Sequence, residues 1–401
     1  MPLKISKKAR RLFPLKIRLI IYILFFLGAF SYYLRYQTIE IPFIDSVKNQ
    51  YCKLQLPKTQ PFLRGELKQF TTSKTDVDDF YRNLGKIVEK PKFNQYQKFF
   101  NQVKDSSPES FYVIREFSKK QPEEFELGIN NWTTKLNNES AAILVHEFTH
   151  SAQYPCFLEK TSCKRYSDFE VVPYVPYSSE KDINGFNYED NNFSEKTAYW
   201  ISGKAYTVDF KESELFAFED IPEKLPTLTP MDVRDNEEGA YASQDMSLIL
   251  GEINAYTKSS RIIREMNCSQ ITKRLDRYFY AQNLARQLLH LGQYIEYASK
   301  NYPTTYSYII QNKAIAFMTL RLEALAREEL GIVLTNASTK DKINHETSPE
   351  GIRFNLDLFD KKKAVMDKFY SDSGVIQLKD KLLSPEELKN NNINLSETAI
   401  N

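Results

Sequence analysis

Two histidines and a glutamate, spaced as His146-Glu147-Phe148-Thr149-His150, are the residues of this chain best suited to chemistry. On a helix, residues four apart share a face, so His146 and His150 offer two imidazole nitrogens to one metal ion, at the roughly 2.0 Å that zinc takes. Glu147, one step round, is placed to take a proton from an activated water rather than to ligate the ion. The run Ser140 to Gln153, SAAILVHEFTHSAQ, reads as that helix: Asn137 or Asn138 is available as N-cap, Pro155 ends it, and the residues flanking the motif carry no charge, as a buried helix demands. With only four histidines among 401 residues, such a spacing arises by chance in roughly one chain in 400.

Through these residues the chain resembles the zincin metallopeptidases, over about fifteen positions. The resemblance implies a zincin-like fold, a zinc-dependent hydrolase of peptide bonds, and a third ligand from elsewhere in the chain. Metzincin-like members carry a Gly and then a His or Asp on the same stretch; here Gln153 replaces the Gly and Cys156 the last ligand, which excludes that subgroup. Gluzincin-like members take a glutamate from a downstream helix, often within Asn-Glu-x-x-Ala, and Gly251-Glu252-Ile253-Asn254-Ala255 matches with Gly in place of Asn. The residues themselves agree on Glu252. It lies between Leu248 to Leu250 and Ile253, and a carboxylate so flanked needs a partner if buried, while the small Gly251 and Ala255 let a second helix approach. His146, His150 and Glu252 are the expected ligands of Zn2+, with Glu219, Asp220, Glu237 and Glu238 as substitutes for the third. Thermolysin-like enzymes place an aspartate four residues after the ligand glutamate to orient a histidine; that position is Tyr256 here, which leaves the residue behind the histidines unassigned. Tyr256 is the expected hydrogen-bond donor to the oxyanion, with His290 and Tyr241 as alternatives.

The elements that must hold these residues follow from pattern. A chain with 42% hydrophobic and 26% charged residues is an ordinary globular protein, neither wholly disordered nor polytopic in a membrane. Apolar spacing from Asp76 to Val103 reads as helices broken at Pro91. Phe111-Tyr112-Val113-Ile114 and Phe125-Glu126-Leu127-Gly128-Ile129 read as two short strands before the motif helix, the second a candidate edge for an extended peptide. Pro155 to about Ile201 is Tyr-, Ser-, Asn- and Pro-rich without period, an irregular excursion. Tyr241 to Ile263, Ile271 to Ser299 and Tyr306 to Leu330 step by three and four, as helices do. The expected fold class is therefore α+β and zincin-like, a small N-terminal β-sheet with the active-site helix followed by a mostly helical C-terminal subdomain. The catalytic domain spans 61–330, and 331–401 is a polar C-terminal extension, loosely held at Asn336 to Ser348 and at 390–394.

At the N-terminus Lys4, Lys7, Lys8, Arg10, Arg11, Lys16 and Arg18 precede any acidic residue, and Leu19 to Leu34 carries no charge. Residues 1–35 read as a basic n-region and transmembrane signal anchor, with 36–60 as linker. The apolar run is short of the about 20 residues of a spanning helix, a gap that snorkelling Lys16, Arg18 and Arg35 close. Ala29-Phe30-Ser31 offers the alternative of a cleaved signal peptide. Cys52, Cys156, Cys163 and Cys268 all fall on the exported side, where an even count permits two disulfides. The combined reading is a membrane-anchored or exported zinc metallopeptidase whose partners are a peptide or protein substrate and the membrane, with no nucleic acid. The alternative is a non-catalytic, envelope-anchored binding or structural protein with a structural metal or none.

The charge asymmetry places the N-terminus in the cytoplasm and the rest outside, in the periplasm or beyond the cell. A reporter active only on the exported side, fused after residue 60, is expected to be active; fluorescence from a cytoplasmic reporter at the same position would reverse the orientation.

Overall fold

Prolines punctuate this chain, and among the described residues five of the twelve helices open on one. The computed structural model describes residues 73–133, 135–153, 196–201, 204–222, 245–267, 276–335, 348–379, 381 and 383–399. After α1 (Lys74–Ile87), α2 (Lys90–Ser106) carries Pro91 in its first turn, and α3 (Pro108–Lys120) and α4 (Pro122–Trp132) open on proline. A first-turn N–H has no helical acceptor, so proline loses nothing there and its φ is already helical. The motif helix α5 (Asn138–Ser151) follows, capped by Asn137, whose Oδ1 accepts from the Ser140 N–H at 2.9 Å.

The expected N-terminal β-sheet is absent: among the described residues every element before α5 is helical, which overturns the α+β, zincin-like fold class. Phe111 to Ile114 lie inside α3 and Phe125 to Ile129 inside α4. Burial shows why the strand reading fails. In a strand Phe125, Leu127 and Ile129 would share a face, whereas Phe125 and Ile129 are 1% exposed and Leu127 is 38% exposed, the pattern of residues four apart on a helix. A short apolar run fits either period, and the proline starts at 108 and 122 leave room for one helix each. The proposed strand edge for an extended peptide goes with the sheet.

Strands do occur, but later. β1 (Lys196–Ile201) and β2 (Lys204–Asp209) pair antiparallel, Lys196 opposite Asp209, so the end of the supposedly irregular excursion is ordered. β3 (Ser396–Ala399) joins the far edge of β2.

The helical half comprises α6 (Met246–Asn267), α7 (Asp276–Asn301), α8 (Pro303–Gln311) and α9 (Lys313–Thr335). The expected single helix from Tyr306 is divided at Asn312. Its Oδ1 accepts from the N–H groups of Ala314 and Ile315 at 3.2 and 3.4 Å, and its amide donates to the Asp209 carbonyl, so it caps α9 and ties it to β2. Residues 349–390, within the stretch read as a polar extension, form α10 (Pro349–Asp360), α11 (Lys363–Asp372) and α12 (Pro385–Asn390). Ile352, Phe359 and Phe369 are fully buried, and Phe359 lies against Gly292 of α7.

The centre of the fold is α6. It packs against α5, α7, α9 and α2, and its apolar residues Met246, Ile249, Leu250, Ile253, Ile262 and Ile263 leave no surface exposed. The motif helix is seated from below by rings. Phe148 stacks on Phe117 of α3 with centroids 4.1 Å apart, and Trp132 meets it edge-on. Gly128 lets α4 come close, since a Cβ there would stand 2.7 Å from the Phe148 ring.

Phe148→Ala should therefore cost about 3–5 kcal/mol, the range for deleting a buried aromatic ring. Urea unfolding measures it, and a loss below about 1 kcal/mol would show that this seat does not hold α5.

Candidate metal centre

The side chains of His146 and His150 leave the same face of α5, and α6 lies across that face with Glu252 towards them. The His146 and His150 Nε2 atoms are 3.1 Å apart, and Glu252 Oε2 is 3.7 Å from the first and 3.4 Å from the second. A tetrahedral zinc ion about 2.1 Å from each ligand sets ligand atoms about 3.4 Å apart. The three separations bracket that value. Glu252 Oε2 is buried and satisfied by no hydrogen bond of normal geometry, an acceptor that a cation would complete. The residues present thus fit zinc in number, type and spacing. His150 keeps 26% of its side chain exposed, so the cluster is reached from one side.

Electrostatics divide the roles. Burial pulls the His146 pKa down to about 3, helped by the charge on His150 and opposed by Glu252, so this imidazole is neutral and ready to ligate. Burial acts the same way on His150, but the Glu252 carboxylate, with smaller contributions from Glu147 and Gln153, outweighs it and raises its pKa. Burial would raise Glu252; the charge of His150 and then of His146 outweighs it, and the carboxyl is held below its ordinary value. A carboxylate thus faces an imidazole of raised proton affinity, and a cation bound there would compete with that proton. Glu147 has its pKa raised, first by burial and then by Glu252, against the pull of His150.

The remaining expectations fare unequally. Tyr256, one turn after Glu252, rests its ring against His146 with centroids 4.5 Å apart, so the structure brings it to the cluster. His290, on α7, packs against the Phe218 ring. Asp220 accepts from the Ala217 N–H in its own short turn. Tyr241, Glu237, Glu238 and the four cysteines lie outside the described residues, as does the apolar segment Leu19 to Leu34; among the described residues no helix is long and apolar enough to cross a membrane.

Two residues come to the site unannounced. Ser259 Oγ lies 3.4 Å from His146 Nδ1 and donates to the Ala255 carbonyl at 2.9 Å. Its proton being spent there, the hydroxyl accepts from the Nδ1–H, which leaves the Nε2 lone pair facing Glu252 and His150. Ser259 follows Glu252 by seven residues, two helical turns, and that spacing was the legible signal. Tyr280 of α7 stands with its ring 6.4 Å from those of both His146 and Tyr256. Nothing in the motif helices points to it.

Zinc uptake of about one equivalent per chain is expected, and His146→Ala should lose it. Affinity should fall as the solution is acidified through the raised pKa of His150, because that proton competes with the ion. Metal analysis after dialysis decides; stoichiometric zinc in His146→Ala would remove this cluster as the site.

Comparisons of the chain with protein-family models, with curated proteins and with solved structures return no match.

Proposed function

We propose that the chain is a zinc-dependent metallopeptidase, held at or exported across a membrane by its N-terminal segment. One observation carries the reading. Three ligand-type atoms from two helices, contributed by residues far apart in sequence, converge at zinc spacing beside a second buried carboxylate of raised pKa. Among the described residues the group has three members, the ligand number of catalytic zinc, whereas structural sites take four. That count favours the enzyme over a binding protein with structural metal.

Zinc in this place supplies Lewis acidity and brings the pKa of a water towards neutrality. The protein does the rest. Glu147 projects beside the ligand face of α5, near enough to His150 and Glu252 to feel both charges. Its raised pKa makes it a better proton acceptor than an exposed glutamate, and the same group can return the proton to the leaving amine. Tyr256 is fixed against His146 and is 7% exposed, so its hydroxyl is the proposed donor to the oxyanion. Ser259 holds His146 in the tautomer that keeps Nε2 free. The peptide as substrate rests on the zincin resemblance, since the same group can hydrolyse another amide.

The two carboxylates should fail differently. Glu147→Gln keeps the shape and removes the proton acceptor, so zinc content should stay near wild type while turnover drops at least about a hundredfold. Glu252→Gln exchanges an anionic ligand for a weak neutral one, so zinc affinity should fall and excess zinc should restore some turnover. Metal analysis with a generic peptide assay reads both. Wild-type metal content and rate in Glu252→Gln would move the third ligand elsewhere.

A further inference from the structure

Two of the positions at which the chain departs from the metallopeptidase patterns, Gln153 and Gly251, meet in the structure although 98 positions separate them. Gln153 lies just past the end of α5, three residues after His150, and is 7% exposed. Its Nε2 donates to the Gly251 carbonyl at 3.1 Å. That bond ties the chain three residues after His150 to the backbone residue just before Glu252.

Gly251 makes the room for this. A Cβ at that position would stand 2.8 Å from Gln153 Oε1 and 3.1 Å from Nε2, closer than side chains tolerate. A glycine in a helix interior is less favourable than an alanine, so its place in α6 calls for a packing reason, and the Gln153 amide is that reason.

We propose that Gln153 and Gly251 form a matched pair that joins the end of α5 to α6 at the residue beside Glu252 and so keeps His150 and Glu252 together for the metal. The inference rests on the zinc reading of the cluster. Gln153 is a positioning residue, because it acts through the backbone that carries Glu252. A single side chain thereby keeps ligands from two helices in register.

The test uses full-length protein as wild type, Gln153→Ala, Gly251→Ala and the double variant. The zinc dissociation constant is measured by chelator competition, and the melting temperature on the metal-free protein. Gln153→Ala should weaken zinc binding about tenfold, the loss that follows removal of a residue that positions metal ligands. Gly251→Ala should lower both affinity and melting temperature, and should do so less in the Gln153→Ala background, where no amide is left for the Cβ to strike. Wild-type affinity in Gln153→Ala, or an equal penalty for Gly251→Ala in both backgrounds, overturns the pair. Should wild-type protein itself take up no zinc, the metal reading falls instead, and the melting temperatures of the four metal-free proteins still decide the pair by the same additivity.

Discussion

The close approach of α5 to α6 is the constraint from which the rest of this structure follows. Glu252 Oε2 lies 3.7 and 3.4 Å from the His146 and His150 nitrogens because small residues line the crossing: Gly251 admits Gln153, and Ala255 and Ser259 are fully buried on the turns that follow Glu252. Larger side chains there would push the helices apart and separate Glu252 from the histidines. The site and the helix packing are in this sense one feature.

Such a crossing must be held from the other side, and α6 is held by buried charge. Arg264 makes a forked pair with Glu329 of α9, with Nη2 to Oε2 at 2.7 Å, and Ser260 donates a further hydrogen bond to the same carboxylate. Arg261 pairs with Glu109 in the first turn of α3 and approaches Glu265. Lys258, its pKa brought down to about 8 by burial, donates to Asn254 at 2.7 Å. Buried ion pairs add little net stability against apolar packing, but misplacing one leaves an uncompensated charge, so they punish any slip of α6 along its axis. A register error of one turn would carry Glu252 past the histidines, and the pairs resist it.

The same logic explains the aromatic seat below α5. Phe148 lies between Glu147 and Thr149, facing away from the ligands, and is enclosed by Phe117, Phe125 and Trp132. Rings fill volume without polar atoms to satisfy, which lets the opposite face of the same helix carry a coupled cluster of charge. The apolar seat and the polar cluster are the two sides of one amphipathic element, set a quarter-turn or more apart by the helical period.

How much of this was readable in one dimension depends on the range of the interaction. The motif helix, its cap at Asn137 and the shared face of His146 and His150 follow from contacts within a few residues, which spacing records directly. Glu252 was legible through its apolar neighbours and small flanks, whereas Ser259 was not singled out although its two-turn offset from Glu252 marks it. The segments at 111–114 and 125–129 were misread because a short apolar run satisfies a strand and a helix equally; the packing of Phe111 and Phe125 against Phe80, and of Phe125 against Phe148, makes the choice. The burial of Phe359 and Phe369 in a polar-looking stretch is of the same kind. Residue types and spacing thus placed His146, His150 and Glu252 on their helices, because that is a local matter of geometry. The partner of Gln153, the approach of Tyr280 and the helical state of the N-terminal segments depend on how helices cross in space, and only the tertiary structure decides that, since a crossing angle leaves no period in the chain.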